Sequence, residues 1–256
     1  MRLRPGNLEE LEPASLRGLP AGLHLVKRWN GQAAVFGQPR FWKAQPLWER
    51  VLEVDPWHIE PLYNLGSLHF QQGLHEIALH LLERALDVDP RHMLALGSLG
   101  TLHFLDGRFE EAQPLLERAL EVDPCHIRSL NSLGSLHFQQ GRPEEARPLH
   151  ERALSVDPEW VESLCSLGQL HSEQGRHDEA QPLLERAVAV DPEDVESLFS
   201  LGSLHAKQGR HEEARQLLER ALSVDPEHIK SLSLHLHCCA SLGLCTWDAA
   251  LHAGPA

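Results

Sequence analysis

The chain has 256 residues, of which 42% are hydrophobic, and a formal net charge of -14. That is enough apolar content for a folded protein, with a field that repels phosphate backbones and anionic lipid surfaces, so nucleic-acid and membrane readings fall away. No stretch approaches the roughly 20 apolar residues of a spanning helix, and Glu9, Glu10 and Glu12 stand where a secretion signal carries its apolar run. Five cysteines without framework spacing fit a reducing compartment, so the expected location is cytoplasmic.

In chain order, residues 1–20 read as a loosely ordered leader and residues 21–256 as an array of repeats. The array opens with a degenerate unit, 25–58, which keeps Ala44, Val51 and Pro56, puts Trp48 in a leucine column and has Gly31 in place of a leucine. Five regular units follow at 59–92, 93–126, 127–160, 161–194 and 195–228, and a truncated unit closes the array at 229–256. The period is read from Asp55, Asp89, Asp123, Asp157, Asp191 and Asp225, each followed by proline and spaced 34 residues apart. Leu62, Leu65 and Gly66 recur at the same interval, and LGSLHFQQG occurs at Leu65–Gly73 and again at Leu133–Gly141.

Each regular unit predicts two helices. In the first, Leu130, Leu133, Gly134 and His137 recur every three or four residues and share one helical face. Gly73, Gly107, Gly141, Gly175, Gly209 and Gly243 are placed to end these helices in the left-handed conformation. The second helix starts with carboxylates such as Glu110, Glu111, Glu144 and Glu145, buries Ala112, Leu116, Ala119 and their repeats, and has Arg118 or Arg152 toward its far end. Asp-Pro then stops it, because proline lacks the amide hydrogen and restrains the residue before it. Pro46, Pro114, Pro148 and Pro182 are expected about a turn into these helices, each bending its helix slightly. A lone pair leaves an apolar flank open, so neighbouring pairs must stack into a one-dimensional solenoid.

Leu-x-x-Leu-Gly-x-x-His, then Gly, then Ala, Leu, Ala and Asp-Pro over 34 residues resembles the tetratricopeptide repeat. The resemblance implies an all-α, right-handed superhelical solenoid of antiparallel helix pairs, with the first helices lining a concave side that takes a peptide or helix from a protein partner. The phrase Ala-Gln-Pro-Leu or Ala-Arg-Pro-Leu is locally similar to repeats of the kinesin light chain. Opposite the core stripe, the first helices present Trp29, Phe36, Tyr63, Phe70, Gly97, Phe104, Leu105, Asn131 and Phe138, and these are the candidate partner-binding groove. Phe36, Phe70, Phe104 and Phe138 occupy one column and predict a ladder of rings, with Gly97 leaving a notch between Tyr63 and Asn131. The alternative is that the rings pack between successive first helices. Arg128, Asn131 and Lys207 face the groove without the paired lysines of the clamp that holds chaperone tails in related proteins.

The 18 histidines invite a metal reading that spacing does not favour. His69, His103, His137, His171 and His205 stand one per unit, about 10 Å apart, where ligands cannot converge. They read as buried neutral rings whose acidification should loosen the stack. His75 and His80 are five apart and diverge around the helix. His235, His237, Cys238, Cys239 and Cys245 form the one ligand-type cluster, read as a frayed terminal helix. No phosphate-cradling loop, nucleophile elbow or kinase signature is found. The sequence therefore reads as a non-catalytic interaction scaffold or adaptor without metal or cofactor. Two alternatives are a regulatory or substrate-docking part of an enzyme assembly, similar in form to the repeats of the O-linked N-acetylglucosaminyltransferase, and self-association through Leu232, Leu234, Leu236, Leu242 and Leu244.

Overall fold

The computed structural model describes residues 44–244, so Trp29 and Phe36 of the candidate groove, the 1–20 leader, Gly31 and Cys245 lie outside the described residues. Within that span there are twelve helices. They are α1 (Gln45–Val54), α2 (Ile59–Gln71), α3 (His75–Val88), α4 (Met93–Leu105), α5 (Phe109–Val122) and α6 (Ile127–Gln139). The run continues with α7 (Pro143–Val156), α8 (Val161–Glu173), α9 (His177–Val190), α10 (Val195–Lys207), α11 (His211–Val224) and α12 (Ile229–Ser241).

Turn chemistry sets the boundaries. All six glycines that close the first helices have φ between 70° and 76°, a region that costs glycine nothing. Each second helix stops at the valine before Asp-Pro, and the aspartate then caps the turn. Asp123 Oδ1 accepts the Cys125 amide at 2.9 Å, and the same bond recurs from Asp55, Asp89, Asp157, Asp191 and Asp225. Arginines near the second-helix C-termini tie each turn to the following pair. Arg84, Arg118, Arg152 and Arg220 donate to the carbonyls of Pro56, Pro90, Pro124 and Pro192, each 28 residues earlier. Pro46 is in the first turn of α1, where no intrahelical bond is lost, while α5, α7 and α9 run unbroken through Pro114, Pro148 and Pro182.

Packing follows the period. Leu62, Leu96, Leu130, Leu164 and Leu198 are fully buried, as are Ala78, Ala112, Ala146, Ala180 and Ala214. The buried apolar residues fall into several clusters along the stack, the first including Trp48, Leu62, Leu82 and Leu99, so the core is a series of local cores as a solenoid requires. Glycine on the first helix is what lets each pair close. A Cβ on Gly168 would lie 2.6 Å from Leu184 Cγ. In the third unit the stripe changes: His150, not leucine, is the fully buried residue against Gly134. Each first helix touches the next first helix, whereas no second helix among those described meets the next second helix. Closer approach on one side means that the stack curves, with the first helices inside.

Candidate functional site

The inner wall is built from the exposed side of α2, α4, α6, α8, α10 and α12. At its N-terminal end Tyr63 is half-buried and meets His92 edge-on, ring centroids 5.4 Å apart. Burial pushes the Tyr63 phenol above its ordinary value against the opposing pull of Arg128 from the third unit. Phe70, Phe104 and Phe138 are half-buried, and Leu105 is 58% exposed. Phe104 also packs onto the core of α5 and α6 beside Ala112, Leu116 and Leu133, 6.0 Å from the Phe109 ring. That ring therefore serves the stack and the wall together.

A cleft of about 300 Å³ gathers these groups. Phe70 comes from the first regular unit, Thr101, Phe104 and Leu105 from the second, Arg128, Asn131 and Ser132 from the third, and Trp160 and Glu162 from the turn and helix opening the fourth. Four consecutive units thus line one depression. Of the predicted groove residues it takes in Phe70, Phe104, Leu105 and Asn131, and Tyr63, Gly97 and Phe138 are not in its lining. Gly97 corrects the expected notch. A Cβ there would meet His126 Cε1 and Ser129 Oγ at 2.8 Å, so the space is already filled by the turn residue His126 and the start of α6, where His126 Nδ1 pairs with Ser129 Oγ at 2.8 Å. Glycine at this position admits a neighbour rather than a ligand.

His126 and Trp160 belong to a column that helical periodicity does not pick out. His58, His92, His126, Trp160, Asp194 and His228 each precede a first helix by one residue. His92 Nδ1 accepts the Ala95 amide at 3.2 Å and Asp194 accepts that of Ser197 at 2.8 Å, which is helix capping. Tryptophan has no acceptor to offer, and Trp160 lines the cleft instead. The legible signal was the 34-residue recurrence just after each Asp-Pro.

Farther along, the inner wall ties itself together. Ser163 Oγ donates to Asn131 Oδ1 at 3.2 Å, Cys165 Sγ and Ser197 Oγ are 2.9 Å apart, and Gln169 Nε2 donates to Glu196 and Ser200. Lys207 Nζ donates to Ser172 Oγ at 3.2 Å, and Lys230 is 3.7 Å from Glu196. Cys165 is buried, and burial pushes its thiol up to about 12, so it is an inert packing group.

The histidine column lies on the core face. His103, His137, His171 and His205 are buried and His69 is half-buried. Burial is the main cause that holds His103, His137 and His171 below the ordinary imidazole value, helped by Arg108, Arg142 and Arg176 and opposed by carboxylates such as Glu111, Glu145 and Glu179. His205 Nδ1 pairs with Glu213 at 2.8 Å, at the edge of a second depression of about 280 Å³ that also holds Glu185 and Arg220. At the C-terminal end His235 approaches Cys239 at 3.7 Å, and His237 lies against His211, ring centroids 6.2 Å apart. No three histidine, cysteine or acidic groups among the described residues converge as metal ligands. His75, of the spaced pair, bonds Asp106 at 3.0 Å.

Paired helices, a serial core and first helices gathered on one side define an all-α repeat solenoid. Tetratricopeptide repeat models match residues 62–124, 91–159, 127–193 and 165–228, which together run through more than half of the sequence. The chain belongs to the tetratricopeptide repeat family, whose fold generally mediates protein–protein interaction. Among solved structures it is similar to YrrB, a tetratricopeptide repeat protein with an unusual peptide-binding site: 22% identity over 73% of this chain and 96% of that one, TM-score 0.52. It is also similar to TTC0263, a thermophilic tetratricopeptide repeat protein of Thermus thermophilus, with 23% identity over 73% of this chain and 100% of that one, TM-score 0.61. The Cut9–Hcn1 hetero-tetramer of APC/C gives 17% identity, 78% and 40% coverage, and a TM-score of 0.72. At these identities the likeness is one of fold. No curated protein matches the sequence.

Proposed function

We propose that the chain is a non-catalytic scaffold or adaptor that captures a peptide or helix with apolar anchors on the N-terminal half of its inner wall. The observation that carries this reading is the cleft to which four consecutive units contribute. A binding surface assembled from several repeats exists only in the folded array, and its rings and the exposed Leu105 offer apolar area that the stacking does not consume. Arg128 and Glu162 at its edge set orientation by charge. The working unit on this reading is the array from 25–58 through the five regular units to 229–256, and the cytoplasm, where its free thiols stay reduced, is its compartment. No described helix is long and apolar enough to cross a membrane.

The test uses peptides selected from a displayed random library against the whole chain. Phe70→Ala with Leu105→Ser should weaken the selected peptides at least about tenfold, the scale of losing apolar anchors, with circular dichroism unchanged. Equal affinity in the double variant would move the site elsewhere. Phe104 is a poor first choice for replacement because its ring also holds α5 and α6.

A second reading, self-association, rests on α12. Ile229, Leu232 and Leu236 are 79%, 40% and 59% exposed and lie on one helical face. Leu236 also stands in the column where Gly202 and its repeats admit a second helix. Light scattering should then return a multiple of the chain mass that Leu236→Asp reduces to the monomer. A monomer at every concentration excludes it.

A further inference from the structure

The residue that closes each second helix onto its first is Leu82, Leu116, Leu184 or Leu218 in four units, and His150 in the third. His150 is 1% exposed, and neither of its ring nitrogens has a partner. It is also wedged, because a Cβ on Gly134 would lie 2.7 Å from Nε2. A neutral imidazole fits roughly the volume of leucine, at the cost of a donor and an acceptor left without water. A protonated one would bring a charge into the same apolar joint, with nothing there to meet it.

We propose that His150 makes the α6–α7 pair an acid-sensitive joint, which opens when the ring takes a proton and does so far more readily than the leucine-closed pairs. Burial alone sets the ring's proton affinity. It lowers the pKa to about 4, and no charged group of α6, α7 or the flanking helices adds to or opposes that. The charged groups of this unit, Arg142, Glu145 and the preceding Glu117, act instead on His137. The folded pKa lies below the free value of about 6.5, so the unfolded pair binds the proton first. The pair's stability is therefore intact above about pH 6.5 and is lost progressively down to about pH 4. Between pH 7 and pH 5 the opening constant should rise about twentyfold by this linkage. Helix α6 also carries Arg128, Asn131 and Ser132, the third-unit wall of the cleft. Opening the joint would release a bound peptide, a consequence that rests on the cleft being the peptide site.

Hydrogen exchange on the full chain at pH 7 and pH 5, corrected for intrinsic rates, tests the joint without any ligand. In the wild type, α6 and α7 should open about twentyfold more at pH 5, clearly more than the second and fourth pairs, where His103 and His171 titrate in less buried sites. His150→Leu should reduce the third pair's acid response to that of its neighbours. His150→Gln, polar but without a titrating group, should open more at both pH values with the same small response. An acid response in α6 and α7 that survives both replacements overturns the proposal. A library-selected peptide then separates the two claims. Acid weakening that is lost in His150→Leu supports the coupling to the cleft, and equal weakening in both proteins refutes that coupling while the exchange result decides the joint.

Discussion

The two halves of the inner wall use the same backbone for different ends. From α2 to α6 the wall carries Tyr63, Phe70, Phe104, Leu105 and Phe138, half-buried or exposed. From α8 to α12 the corresponding columns hold Cys165, Ser172 and Ala206, with Phe199 the one remaining ring, and neighbouring first helices are tied by hydrogen bonds. The first half also has such a tie, Thr101 Oγ1 to Ser132 Oγ at 2.9 Å, but it keeps rings and Leu105 at the surface, whereas the second half offers mainly small and polar side chains engaged in these bonds. Since stacking follows the same period in both, the proposed binding surface rests on this difference in wall chemistry.

The largest effect should come from exchanging roles across this divide. Phe70→Ala with Leu105→Ser should cost at least about tenfold in peptide affinity, whereas Gln169→Ala, which removes bonds to Glu196 and Ser200, should leave affinity alone and lower stability by about 1 kcal/mol. Titration calorimetry and urea unfolding measure the two, and a binding loss at Gln169 would erase the distinction. Next in size is the joint itself. Gly168→Ala gains about 1 kcal/mol of helix propensity, but its methyl would lie 2.6 Å from Leu184, and overpacking of about 1–3 kcal/mol should prevail. Gly202→Ala, with 3.2 Å to Leu218, should be close to neutral, and thermal unfolding of the two variants tests that order.

The smallest effect should be that of the histidine column. His103, His137 and His171 have folded pKa values below the ordinary one, so stability should decline as pH falls below about 6.5. Replacing all three by tyrosine should reduce the pH dependence of urea unfolding between pH 6.5 and 5 to the part that His150 supplies, and an unchanged slope would remove these rings from the acid response.

Most of the fold was legible because it is written in turns. Gly141 and its repeats can take positive φ, and Asp-Pro can only end a helix, so the first and second helices fall between those marks. The lining of the candidate cleft was legible in part. Helical spacing put Phe70, Phe104, Leu105 and Asn131 on one face, and the cleft holds them. It could not place Trp160 or His126, which sit in turns where a 3.6-residue period carries no information. It read Gly97 as empty space, since a glycine column does not say whose side chain arrives. His150 was hidden for the opposite reason: a stripe read from its repeats takes the majority residue, and the exception disappears.

The most direct measurement of where a partner binds is hydrogen exchange on the full chain with and without a library-selected peptide. Protection confined to α2, α4, α6 and the turn at Trp160 is the predicted result. Protection on α3, α5 and α7, or only from α8 onward, would contradict the assignment of the binding surface to the aromatic half of the inner wall.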